Sequence, residues 1–75
     1  SFPGAYAAQV PHKQGPLTIT DKKFVDEAHD SGLKVHVWTI DDPSEMHQLF
    51  DLGVDGIMTD RPQVLKDVMI ERGIW

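Results

Sequence analysis

The sequence predicts an α/β fold in which about three parallel strands alternate with helices, and two observations carry that prediction. The stretch from Val35 to Pro62, VHVWTIDDPSEMHQLFDLGVDGIMTDRP, reads as strand, capped helix, glycine stop, strand and helix start. Gly32, Gly53 and Gly73 each follow a helical pattern and divide the chain into short successive units. With connections of only a few residues, consecutive strands have to run parallel through right-handed crossovers. That order fits part of an α/β barrel or part of a doubly wound sheet.

Taken from the N-terminus, Ala5 to Val10 is the first candidate strand, and Pro11 to Thr18, which contains Gly15 and Pro16, reads as a loop. The first helix starts at Thr20 or Asp21 and runs to Ser31, with Phe24, Val25 and Ala28 on one face and Lys22, Lys23, Asp26, Glu27 and Asp30 on the others. Lys34 to Ile40 follows as a strand rich in β-branched and aromatic residues. Its apolar side chains fall on both parities, which suits a parallel strand covered on both faces. Asp42, Pro43 and Glu45 stand at N-cap, N1 and N3 of a second helix, where the aspartate accepts an orphan N–H and the glutamate can reach back. Met46, Leu49, Phe50 and Leu52 form its core stripe before Gly53 ends it. Gly56 to Thr59 is a short buried strand, and Pro62 opens a third helix with an apolar stripe of Val64, Leu65, Val68 and Met69. A three-stranded parallel sheet of this kind leaves a face or its edges uncovered, so neighbouring elements or a second copy of the chain are expected against it.

Length and composition narrow the functional classes. Seventy-five residues make one domain, residues 1–75, and cannot close a complete barrel of roughly 250 residues. At 40% hydrophobic and 25% charged residues, neither disorder nor a fibrous repeat is favoured. A net charge of -5, with seven scattered Lys and Arg, argues against nucleic acid as a partner. The absence of cysteine excludes a disulfide framework and a thiolate metal site. No apolar run approaches the roughly 20 residues of a transmembrane segment, and no signal sequence opens the chain, so a soluble protein is expected, with the compartment open and the cytoplasm preferred. A first residue of Ser1 in place of Met leads us to expect a processed, excised or engineered piece of a longer protein.

Few residues carry chemistry that structure alone does not explain. Trp38 lies near the C-terminal end of its strand, the side on which barrel enzymes build their sites, and is equally well placed as a core residue or as a substrate wall. Asp60 stands before Arg61 and Pro62, where capping of the third helix is the better reading. Asp41, Asp42 and Glu45 lack the alternating ligands and central glycine of a calcium loop and read as caps. His12, His29, His36 and His47 share no metal-ligand spacing, and His36, on the parity of Trp38, reads as a hydrogen-bonded interior residue. Neither Ser31 nor Ser44 sits in G-x-S-x-G, and Gly53, Gly56 and Gly73 do not make a dinucleotide loop.

The segment from Val35 to Pro62 closely resembles the C-terminal end of the glycerophosphodiester phosphodiesterase family. The likeness rests on VWTI ending one strand, an acidic residue with Pro opening the next helix, and GVDGIMTDRP. AAQVP at Ala7 to Pro11 and TITDKKFVDEAHDSGLKV at Thr18 to Val35 also look like the preceding strand, loop and helix, so the resemblance covers nearly the whole chain. It implies the C-terminal part of a (β/α)₈ TIM barrel. It also implies a parent enzyme that hydrolyses glycerophosphodiesters to a glycerol phosphate and an alcohol, with a divalent cation, Ca²⁺ or Mg²⁺, polarising the phosphoryl group while a histidine protonates the leaving alkoxide. The family's His-Arg, Glu-x-Asp and second His have no counterpart here, so no catalytic residue and no metal ligand is expected in this chain, and the piece alone is expected to be inactive. What the resemblance does carry over is Trp38, as an aromatic wall for the substrate. Family members commonly have Asn where this chain has Asp41, which puts an amide-specific contact in doubt while leaving acceptance from a hydroxyl open. Two other readings remain: a self-associating α/β binding module, and a piece of another phosphate-binding barrel enzyme, against which the Trp of VWTI argues.

Overall fold

The computed structural model describes residues 7–14 and 17–75. Three parallel strands alternate with three helices, in the order β1 (Ala7–Pro11), β2 (Lys13–Gln14), β3 (Leu17–Thr18), α1 (Lys22–Asp30), β4 (Lys34–Trp38), α2 (Pro43–Leu52), β5 (Gly56–Ile57) and α3 (Pro62–Glu71). The sheet runs β1-β4-β5, with β4 in the centre and both neighbours parallel to it. The stretch between β1 and α1, expected as a plain loop, contains a two-rung antiparallel ladder between β2 and β3. The first two residues of the expected opening strand, Ala5 and Tyr6, and two residues of the expected loop, Gly15 and Pro16, lie outside the described residues.

The helices form where local chemistry places them. Asp21 caps α1 by accepting the Phe24 N–H, and Asp42 caps α2 by accepting that of Glu45, with Pro43 in the first turn. The expected reciprocal bond from Glu45 to the cap is not made; the Ser44 hydroxyl donates to Asp42 instead, so the glutamate carboxylate is left for other work. Gly53 ends α2 at φ 97, a left-handed conformation in which a Cβ is strained.

The pleat divides the sheet into two unlike faces. On one, Val35 and Val37 are fully buried, and with Ile57 they pack against Val25 and Ala28 of α1, Met46 and Leu49 of α2, and Val68 of α3 in a single core. On the other lie Lys34, His36 and Trp38, with Gln9 and Gly56 in register beside His36. Here the outcome differs from the expected two-sided covering: all three helices contribute to one core on one face, and Trp38 remains 45% exposed. The two-parity apolar pattern instead reflects Ile40, which lies beyond the strand and is buried through the loop.

Both later strands are shorter than expected, β4 ending at Trp38 and β5 at Ile57. Met58 N–H donates to the Val37 carbonyl and Ile40 N–H returns a bond to the Met58 carbonyl. Beyond that rung, Thr59 and Asp60 turn toward Asp41. Among the described residues, no helix is long and apolar enough to cross a membrane.

Candidate active-site rim at the strand ends

Because the strands are parallel, their C-terminal ends meet along one rim of the molecule, and the side chains there come from segments distant in sequence. The end of β1 and the start of β2 deliver Pro11, His12 and Lys13, the end of β4 and the loop after it deliver Trp38, Thr39 and Ile40, and the first turn of α2 delivers Glu45; together they line an open cavity of about 280 Å³. The peptide bond joining Trp38 to Thr39 is cis.

Each wall of this cavity is fixed by hydrogen bonds from outside it. On the β1 side, the buried Thr20 hydroxyl donates to the Pro11 carbonyl at 3.0 Å, and the Ile19 and Thr20 N–H groups both donate to the His12 carbonyl, at 2.8 and 3.0 Å. The β2–β3 ladder closes just beyond, so His12 and Lys13 stand on an anchored backbone. The Nδ1 of His12 is buried without a partner among the described residues. On the β4 side the anchor is Asp41. Its Oδ1 accepts the Thr59 hydroxyl at 2.8 Å and the Asp60 N–H at 2.9 Å, tying the end of β4 to the end of β5. The Thr59 hydroxyl, then the Asp60 N–H and the Arg61 charge, hold the Asp41 carboxyl below its ordinary range against a weaker opposing effect of desolvation.

Two expected caps are therefore corrected. Asp60 does not cap α3, which has no side-chain cap: its backbone is committed to Asp41, and the Thr59 hydroxyl accepts the Arg61 N–H in its place. Asp41 caps no helix but clamps two strand ends, and it does accept from a hydroxyl, that of Thr59.

The histidines have separate surroundings. His36 faces away from the core, its ring lying over Gly56 so closely that a Cβ there would come within 3.1 Å of Cδ2. His29 bonds Asp55 at the opposite end of the sheet, and His47 approaches Glu71 and Arg72 between α2 and α3. Among the described residues no three His, Asp or Glu side chains converge as a metal centre would require. Sequence reasoning singled out Trp38, weighed His12 only as a metal ligand and Glu45 only as a cap or cation ligand, and passed over Lys13. The strand-end rule that selected Trp38 applies equally to the two residues after Pro11; the place of Glu45 in the cavity lining was hidden by a capping pattern that the chain satisfies with Ser44.

The chain is similar to known proteins along most of its length. The pattern of the glycerophosphoryl diester phosphodiesterase family matches residues 3–64. A Mycobacterium tuberculosis protein named "Probable glycerophosphodiester phosphodiesterase 2" is 45% identical over 67 residues, which are 89% of this chain and 25% of that protein. A solved structure from Silicibacter pomeroyi superposes with a TM-score of 0.70 at 38% identity, over 73% of this chain and 18% of the other. A glycerophosphodiester phosphodiesterase from Parabacteroides distasonis does so at 0.65 and 35%, over 68% and 21%. The chain thus spans a quarter of the length of the mycobacterial relative and 17% of the next relative it matches.

Proposed function

Since the chain belongs to the glycerophosphoryl diester phosphodiesterase family, we propose that it is the closing part of a barrel enzyme that hydrolyses glycerophosphodiesters to a glycerol phosphate and an alcohol. The observation that carries this reading is the cavity at the parallel strand ends, where Trp38, His12, Lys13 and Glu45 meet on the side of the sheet at which barrel enzymes act. Trp38 presents an indole wall that orients the substrate and excludes water from one side of it. Lys13 supplies a positive charge near the phosphodiester. Asp41 holds the loop after Trp38 in place by binding the end of β5.

The residues present do not make a cation site, since no suitable group of three converges among those described. A divalent cation, Ca²⁺ or Mg²⁺, would be held by parts of the parent protein outside this chain, where it would polarise the phosphoryl oxygens and neutralise developing charge. General acid–base groups are likewise assigned to those parts, and the 75-residue chain alone is inactive on this reading.

The decisive assay follows glycerol phosphate release from glycerophosphodiesters by a longer protein that contains this chain, beside the chain alone. Release by the longer protein, absent from the chain and reduced at least tenfold by Trp38→Ala, is the expected result. A longer protein that cleaves no glycerophosphodiester, with or without added Ca²⁺ or Mg²⁺, would sink the proposal.

A further inference from the structure

β1 ends in Pro11, which has no N–H to give to a ladder, so the strand end is held through carbonyl oxygens. Donors from one short segment meet two successive oxygens there: the Thr20 hydroxyl donates to Pro11 at 3.0 Å, and the Ile19 and Thr20 N–H groups donate to His12 at 2.8 and 3.0 Å. Pro11 stands in register with Trp38, so this tether lies level with the indole on the neighbouring strand. Thr20 lines no part of the rim cavity, whereas Pro11, His12 and Lys13 all do. The hydroxyl also sits where stability alone asks for none. Thr20 precedes the Asp21 cap of α1, a position that an apolar residue commonly fills by packing on the first turns of the helix. Among the described residues it is the only polar one that is buried, with no exposed surface. Burying a hydroxyl is unfavourable without a hydrogen bond, and with one the net gain is small. What the hydroxyl adds over a methyl group is direction, because its bond fixes which way the Pro11 carbonyl, and the chain after it, is turned.

We infer that Thr20 is a positioning residue for the reaction at the rim, acting through Lys13 by holding the chain from Pro11 to Lys13 against the cavity. The inference rests on the phosphodiesterase reading, in which Lys13 supplies the charge near the phosphodiester, and adds to it a residue that touches no substrate. The segment that opens α1 thereby takes part in the working site, although no residue of the helix itself reaches the cavity. Loss of the hydroxyl frees the Pro11 carbonyl to turn and leaves the two bonds to His12 to hold the strand end alone. Misplacing a reacting or charged group by about 1 Å can cost an enzyme on the order of a hundredfold, and a group in an open cavity, where water screens it, loses less.

The test follows glycerol phosphate release from glycerophosphodiesters by the longer protein that contains this chain, well below the thermal midpoint of every variant, so that the folded fraction does not enter. Thr20→Val keeps the shape of the side chain and removes the hydroxyl, while Thr20→Ser keeps the hydroxyl and removes a methyl group. In Thr20→Val kcat/KM falls about tenfold, and in Thr20→Ser it stays within about twofold of the unaltered protein. A structural role alone would not distinguish the background in which the change is made. A positioning role does: once Lys13→Ala has removed the group that is held in place, adding Thr20→Val lowers kcat/KM by less than about twofold. Thr20→Ala takes the place of Thr20→Val if the latter does not fold, with the same comparisons. If Thr20→Val is as active as the unaltered protein, if Thr20→Ser does no better than Thr20→Val, or if the Lys13→Ala and Thr20→Val losses multiply, the positioning role fails while the phosphodiesterase reading stands. If the unaltered longer protein cleaves no glycerophosphodiester, that reading fails and the positioning role falls with it.

Discussion

At the scale of single residues, the most consequential side chains are those that accept backbone hydrogen bonds across gaps in sequence. Asp55 accepts the Val35 N–H at 2.7 Å and His29 Nε2 at 2.7 Å, joining α1, the start of β4 and the start of β5. Desolvation is the largest single effect on its carboxyl and pushes it up. The Val35 N–H, the His29 bond and the charges of His29 and Lys34 together outweigh it and hold the pKa below the ordinary 3.8. The folded state therefore binds fewer protons than the unfolded state near that value. The contribution of Asp55 is complete above the unfolded pKa and disappears as pH falls through the folded one. Asp55→Asn keeps an acceptor oxygen but has no proton to take up, so it should lower the urea midpoint at pH 7, and the deficit should shrink as pH falls below 3.8; a deficit that stays constant with pH would contradict this. Gly53 gives a second prediction. At φ 97 a Cβ would find only ordinary contacts, 3.7 Å to Val25 and 3.9 Å to His29, so Gly53→Ala should cost roughly 1–2 kcal/mol, from backbone conformation alone. Denaturation of that variant with an unchanged far-ultraviolet spectrum would verify it.

At the scale of elements, α3 is held to α2 by two kinds of contact of unequal worth. Val68 is nearly fully buried in the core, whereas Arg72, at the end of α3, reaches Asp51 at 2.7 Å, donates to the His47 carbonyl at 3.4 Å, and lies 5.6 Å above the Phe50 ring. The Asp51 side chain is 69% exposed, so the ion pair itself is worth little. Arg72→Ala, which also removes the stacking and the stem packing, should destabilise by about 1 kcal/mol, and Asp51→Ala by no more than about 0.5 kcal/mol. Equal effects of the two substitutions in chemical denaturation would show that the ion pair dominates. The elements themselves were largely legible in the sequence: Asp21, Asp42, Pro43 and Gly53 do locally what their residue types prescribe, and parallel pairing followed from short connections. The long-range uses of Asp41 and Asp55 were not legible. An aspartate beside a helix start looks the same whether its carboxylate turns to the next N–H or to a strand end 18 residues away, and only the sheet register decides between them.

At the scale of the whole molecule, the two faces of the sheet set the behaviour of the isolated chain. One face is sealed by three helices, while the other presents Lys34, His36 and an exposed Trp38, and β1 and β5 are unpaired on their outer sides among the described residues. We propose that the 75-residue chain self-associates through this open side, and sedimentation velocity should show an average mass that rises with concentration. A chain that stays monomeric at every concentration while unfolding cooperatively would argue that the open side needs no cover. Which elements cover it in a larger protein could not be read from this sequence, because hydrophobic patterning records that a surface has two sides but not what supplies the second. The Asp41 clamp has a further consequence, for the charge of the rim. Both of its bonds fall on one oxygen, Oδ1, so an asparagine there could keep the same two bonds through its amide oxygen and turn its NH₂ to water. The position works as an isosteric dial: substitution would make the net charge of -5 one unit less negative without moving either strand end. At physiological salt that change would be felt over about 8 Å, so the attraction of the rim for anions would change while the two bonds that set its geometry stay.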